Sequence, residues 1–262
     1  LTCRNLNFRL ENFKMHEDKI HIQYVETRKK HDAVKRNKMM RMLNGNGFQK
    51  QISIFQQNIV GSKKQQEVVN NVELLLNKLI PDVLVISEAD CEAVTAWHYP
   101  GYSAYKGHLS GGNLVRVSAL VRKSIKHEIT HLDVEVPNIV ISLKIDNKTY
   151  KITGVYREWN YSAITSSKPE QEARWSMFED AWIRDNNRNK NSCLIGDMNF
   201  CFRGSSSTHQ QSLEPIRSSV MDNIVFRGWS QVITKNTPHQ GDQVPSLLDQ
   251  VYYNNPDMIK YA

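Results

Sequence analysis

The sequence contains no apolar run of about 18 residues, the length that reads as a membrane-spanning helix, and no charged-then-apolar leader at its start. Its four cysteines, Cys3, Cys91, Cys193 and Cys201, form no C-x-x-C pair and no regular framework. That pattern argues against a disulfide scaffold and suits a reducing compartment, with Cys193 and Cys201 expected as small core residues. No Cys/His zinc spacing, no Walker loop and no G-x-S-x-G elbow occurs, so none of those chemistries has a motif to rest on. Internal repeats and low-complexity segments are also absent.

What is present is a chain of 262 residues, ample for a sizeable core, with a net charge of +7 that is unevenly spread. Residues 1–50 hold twelve Lys/Arg and five Asp/Glu, and residues 51–262 hold 22 of each. The first fifty residues carry the whole excess, include RKKHDAVKRNKMMR (28–41) and end in NGNG (44–47). They read as a basic arm or linker joined by a turn to a domain over 51–262. Such an arm is either a solvated tail or a contact to a phosphate backbone.

From residue 51 the periodicity changes. ISIFQQN (52–58) reads as a strand, followed from Ser62 by a helix with Val68, Val72, Leu75, Leu76 and Leu79 on one face and Pro81 at its end. PDVLVISEAD (81–90), LVRVSALVRK (114–123), NIVISLKI (138–145), TYKITGVYREW (149–159), SCLIGDMNF (192–200) and SLLDQVYYN (246–254) read as further strands. Helices are expected over 170–185, with Trp175, Phe178 and Trp182 on one side, and around 214–227. That order predicts an α/β fold with two sheets and helices outside.

Polar residues close these apolar runs: Asn58, Glu88, Tyr156, Asp197 with Asn199, and Asp249. Strand ends in layered α/β folds gather on one rim, where sites are built. Asp197 and Asn199 are two apart, so an extended chain points both to one side, and Gly196 leaves the backbone room. The residue types point to phosphodiester hydrolysis with a hard metal ion: Glu88 oxygens for Mg²⁺, Asp197 for the attacking water, Asn199 and Tyr156 as neutral donors to a phosphate. Taken singly, each has a plainer reading: a surface Glu, a half-buried Tyr, a Gly-Asp-x-Asn turn.

Their order is more specific. QQNIVG (56–61), VISEAD (85–90), GVYREW (154–159), IGDMNF (195–200) and SLLDQVYY (246–253) resemble, in sequence, the motifs of the endonuclease/exonuclease/phosphatase superfamily. With PEQEARWSMF (169–178) and GGNLVRVSALVRKSI (111–125), the nearer likeness is to endonuclease domains of non-LTR retrotransposon reverse transcriptases. The resemblance implies a four-layer α/β sandwich, a Mg²⁺ or Mn²⁺ ion held by Glu88, and a site in which Asn58 supports the metal and Asp197. It further implies that Tyr156 and Asn199 meet the phosphate, that Asp197 activates water, and that Asp249 orients a catalytic His. Arg157, Arg122 and Lys123 are the expected nucleic-acid contacts. DNA is the implied partner, with RNA engaged through a reverse-transcriptase region outside the chain, no membrane, no small-molecule cofactor, and a nuclear or cytoplasmic location.

Two departures stand out. An acid found in some relatives two residues after the first-motif Asn is Val60 here, and no Ser-Asp-His closes the sequence. His239, in TPHQGD, precedes Asp249 and reads as a loop residue. The family's last strand is expected beyond residue 262 or lost, the Leu1 start and Ala262 end fit a piece of a longer chain, and this chain is expected to be a weak or inactive nuclease. Other readings are a repair nuclease or phosphoinositide phosphatase of the same superfamily, and a catalytically dead nucleic-acid-binding remnant of a mobile element. If the basic arm meets phosphates, deleting residues 1–50 should flatten the salt dependence of DNA affinity, measured by anisotropy across a salt series. An unchanged slope would make the arm a solvated tail.

Overall fold

The computed structural model describes residues 20–22, 52–59, 65–88, 98–108, 115–157, 168–187, 189, 191–200, 214–225, 227–232 and 249–255. Two sheets account for the strands among them. The first runs in the order β1 (Ile20–Ile22), β2 (Ile52–Asn58), β3 (Val83–Ser87), β5 (Val117–Arg122), β4 (Tyr102–Lys106). The second runs β10 (Ser230–Gln231), β11 (Asp249–Tyr253), β9 (Ser192–Asp197), β8 (Lys148–Tyr156), β7 (Asn138–Ile145), β6 (His127–Thr130). Helix α1 (Gln65–Leu79) links the parallel pair β2–β3, and α2 (Lys168–Asn186) links the parallel pair β8–β9. Both are crossover units of the kind that parallel pairing requires.

Period-two alternation sorts the side chains into layers. Odd residues of β3 (Val83, Val85) and of β9 (Cys193, Ile195) join Ile52, Ile54, Ile139, Ile141 and Ile152 in a core between the sheets. Their even neighbours face outward: Leu84 and Ile86 meet Val68, Val72, Leu75 and Leu76 of α1. Leu194 and Tyr252 meet Trp175, Phe178 and Trp182 of α2 together with Ile216 and Val220 of α3 (Glu214–Val220). The result is helix, sheet, sheet, helix, the four-layer α/β sandwich that the resemblance implied. Gly154 sits where the sheets close: a Cβ there would lie 2.8 Å from Val85 Cγ1 and 3.0 Å from Ile139 Cγ2. The missing side chain is the space that Val85 fills.

The sequence located β2, β3, β5, β7, β8, β9, β11 and the three α-helices among the described residues, with ends shifted by a few residues. It missed β4, β6 and β10, which are short edge-region strands without a long apolar run. It also did not anticipate that Ile20–Ile22, inside the stretch read as an arm, pairs parallel with β2. Among the described residues no helix is long and apolar enough to cross a membrane. Cys193 is buried and unbonded, and burial pushes its thiol up; Cys201 lies outside the described residues.

Under the outer helices one carboxylate is fully enclosed. Glu179 of α2 accepts Trp175 Nε1 at 2.8 Å, Asn223 Nδ2 at 3.0 Å and the Ser219 hydroxyl. Asn223 stands in a π-helical turn, Met221–Val225, that follows α3 directly. Burial raises the Glu179 carboxyl above its ordinary value of 4.5, against the pull of those three donors. A raised value means that the fold binds the proton more tightly than the unfolded chain, so this group's contribution to stability is present below pH 4.5 and is lost as pH rises. Glu179→Gln removes that loss. Its melting temperature should gain on the parent's as pH is raised from about 5 to about 7, read by calorimetry at both values.

Candidate active site

The inward-facing row of each central strand changes character at the same end. β2 reads Ile52, Ile54, Gln56, Asn58; β3 reads Val83, Val85, Ser87; β9 reads Cys193, Ile195, Asp197. β8 reads Ile152, Gly154, Tyr156. β11 runs the other way and reads Asp249, Val251, Tyr253, with Asp249 as the Cα partner of Asp197. Tyr156 is the partner of Asp197 on its other side. The polar ends therefore stack into one patch where the apolar layer between the sheets stops.

Three hydrogen bonds join the two sheets across that patch. Asn58 Nδ2 donates to Asp197 Oδ2 at 2.6 Å, the Tyr156 hydroxyl to Glu88 Oε1 at 2.8 Å, and Gln56 Nε2 to Asp249 Oδ1 at 3.0 Å. Gln56 Nε2 also reaches Ser87 Oγ at 3.1 Å. Alternation alone would send Glu88 to the outer face, with Leu84 and Ile86. Its left-handed backbone, φ +57°, ends β3 and re-aims the side chain inward. The Glu88 N–H is held by the Arg116 carbonyl at 3.0 Å.

Electrostatics follow from burial. Asp197 is 2 % exposed and Asp249 1 %. Burial first, then the charges of Asp249 and Glu88, hold the Asp197 carboxyl well above the usual range. The Asn199 N–H and the Asn58 amide pull the other way. Burial, and next the charge of Glu88, push the Tyr156 phenol far up, so it stays a neutral donor.

Asn199 departs from the extended geometry expected of it. β9 ends at Asp197, and Asn199 adopts φ +50° with its N–H on Asp197 Oδ1 at 2.9 Å. Its amide nitrogen donates to the Arg157 carbonyl at 2.6 Å, so the side chain clasps β8 instead of lying parallel to Asp197. Arg157 returns the clasp, with Nε on the Met198 carbonyl at 2.6 Å and Nη2 on the Asn199 carbonyl at 2.8 Å. Gln250 Nε2 holds the next carbonyl, Phe200, at 2.8 Å. Three successive carbonyls of the turn are thus pinned by buried side chains.

The structure brings Glu88, Asn58, Tyr156, Asp197, Asn199 and Asp249 together. It does not bring the expected nucleic-acid contacts to an open surface there. Arg157 is 4 % exposed and its guanidinium is spent on the turn; burial brings it down to about 10, still a cation at neutral pH. Arg122 and Lys123 stand at the far end of β5, opposite the start of β3 (Val83 pairs with Val121). The strand separates them from the site by its own length, about 15 Å at roughly 3.3 Å per residue. Arg122 there pairs with Asp82 at 3.3 Å and donates to the Ile80 and Pro81 carbonyls. Val60 and His239 lie outside the described residues. Gln56 was not singled out in the sequence, although its place two residues before Asn58 puts it on the same face.

Comparison with known proteins agrees with this fold. Residues 61–259 match the model of the Endonuclease/Exonuclease/phosphatase family, and the chain belongs to that family. No curated protein matches the sequence. Among solved structures, the endonuclease domain of TRAS1, a telomere-specific non-LTR retrotransposon, superposes with a TM-score of 0.55 at 12 % identity, covering 78 % of this chain and 84 % of that one. A humanized D. rerio TDP2 gives 0.52 at 13 % identity over 77 % and 82 % of the two chains. At such identities the likeness concerns the fold.

Gly196 tests how closely the site depends on its strands. A Cβ there would lie 1.8 Å from the Val155 carbonyl oxygen, a contact with backbone that cannot swing aside. Gly196→Ala must part β8 from β9 next to the Tyr156–Asp197 pair. The expected loss is about 1–3 kcal/mol in urea unfolding, the usual range for overpacking. Unchanged stability would show that the strands have slack.

Proposed function

We propose that this chain is a divalent-metal-dependent DNA endonuclease that hydrolyses phosphodiester bonds, nicking target DNA as part of a retrotransposition apparatus. The observation that carries the reading is the set of three hydrogen bonds between the ends of the two sheets. They unite a half-buried carboxylate, two buried carboxylates, a neutral phenol and two carboxamides in one patch.

The residues fit a hard cation. Asn58 Oδ1 is buried and has no hydrogen-bond donor, although the other end of the same amide is tied to Asp197. With the half-buried Glu88 carboxylate it offers the oxygen ligands that Mg²⁺ or Mn²⁺ takes. Among the described residues no group of three or more His, Cys, Asp and Glu is arranged to hold a metal. When bound, such an ion offsets phosphate charge and polarises the phosphorus centre.

The chain's own groups then have distinct tasks. Asp197, oriented by Asn58 and by the Asn199 N–H, takes the proton of the attacking water. Tyr156, kept protonated, turns its one hydroxyl hydrogen from Glu88, its acceptor here, to a phosphate oxygen when substrate binds. Asn199 steadies the turn through Arg157 and keeps one amide hydrogen to offer. The resemblance assigns Asp249 the orientation of a histidine; its described partner here is Gln56. The retrotransposon reading draws on the order of the motifs and on the TRAS1 likeness of fold.

Supercoiled plasmid with Mg²⁺ tests the proposal. The parent chain should convert it to the relaxed circle, chelation should stop the reaction, and Asp197→Ala should slow it by about 10²–10⁴-fold. Relaxation that survives either chelation or Asp197→Ala would overturn the reading.

A further inference from the structure

The site gathers three carboxylates, Glu88, Asp197 and Asp249, and under the reading above its substrate is a polyanion. Cations are needed nearby. Arg157 is close but buried, with its guanidinium committed to the Met198 and Asn199 carbonyls. Arg122 is paired with Asp82 at the other end of the sheet.

Arg116 is placed differently. It directly precedes Val117, the residue of β5 that pairs with Ser87 at the site end of β3. Its carbonyl accepts the Glu88 N–H at 3.0 Å, so its backbone is joined to the residue that turns into the cleft. Its side chain is half-buried, and the Nε atom is enclosed without a hydrogen-bond partner. It makes no ion pair with any described residue. Its charge nevertheless reaches the Tyr156 hydroxyl, where it opposes the upward push of burial. An enclosed guanidinium N–H without an acceptor is costly unless something supplies one. An arginine fork matches the geometry of phosphate oxygens, which take two parallel N–H donors.

We propose that Arg116 binds a phosphate of the DNA strand at the site, beside the group held by Tyr156. The inference rests on the endonuclease reading and assigns that site its substrate-binding cation. Within the 111–125 segment it adds Arg116, just before β5, to the DNA contacts expected from the sequence at Arg122 and Lys123.

The test is DNA affinity of the full chain in EDTA, by anisotropy across a salt series, for Arg116→Ala, Arg116→Lys and Lys144→Ala. Lys144 is exposed toward the far end of β7, where its Cα partner is Thr149. It controls for loss of one charge. Arg116→Ala should weaken binding by about tenfold or more and lower the slope of log affinity against log salt by about 1. Arg116→Lys should restore the slope and only part of the affinity, since an ammonium cannot fork. Lys144→Ala should match the parent. An unchanged slope in Arg116→Ala, or an equal fall in Lys144→Ala, overturns the proposal while leaving the nuclease intact. A parent chain that neither binds nor nicks DNA overturns both.

Discussion

Everything at the candidate site depends on one constraint: the apolar layer between the two sheets has to end somewhere, and it ends in polar residues that satisfy each other across the gap. Asn58 with Asp197, Tyr156 with Glu88 and Gln56 with Asp249 are each a pair with one member on either sheet. Were any pair lost, a buried donor or acceptor would face the opposite sheet unmatched, at a cost of about 1–3 kcal/mol. The sheets hold the site in register, and the site in turn closes the interface between them.

Two left-handed residues make that closure possible. Glu88 at φ +57° and Asn199 at φ +50° both follow strand ends, and both use backbone conformations that strands exclude. At Glu88 the bend brings a side chain across to the inner face. At Asn199 it turns the chain so that the carbonyls of residues 198, 199 and 200 face buried donors from Arg157 and Gln250. Strain of this kind persists only where the surroundings over-determine it. Here the surroundings include a buried arginine that makes no ion pair with any described residue. An arginine in such a place stabilises one backbone arrangement and places positive charge behind Asp197.

Much of this was legible in the chain. Val83–Ser87 and Ser192–Asp197 are runs of small and β-branched residues, so buried strands were readable, and the Gly-Asp-x-Asn stretch marked where one of them stops. The parity of Asn58, Tyr156, Asp197 and Asp249 within their strands was there to be read, and it puts all four on the inner face. Glu88 has the opposite parity, and only its backbone turn brings it to the others. The surroundings of the charged residues were less legible for a related reason. Arg157 and Arg122 look like surface cations in a sequence, because the carbonyls that occupy Arg157 and the carboxylate that pairs Arg122 are distant in the chain.

The sequence by itself determined the alternation that builds the layers, the helices with their aromatic and aliphatic faces, and the residue types that end each strand, because these are local properties of spacing and propensity. Tertiary structure decided which end of each strand meets which. That depends on the parallel pairing of β8 with β9, the antiparallel pairing of β11, and the space left by Gly154 and Gly196. It also decided which cations are spent and which remain. A guanidinium's role is set by the acceptors within about 3 Å of it, and those come from residues tens of positions away in sequence.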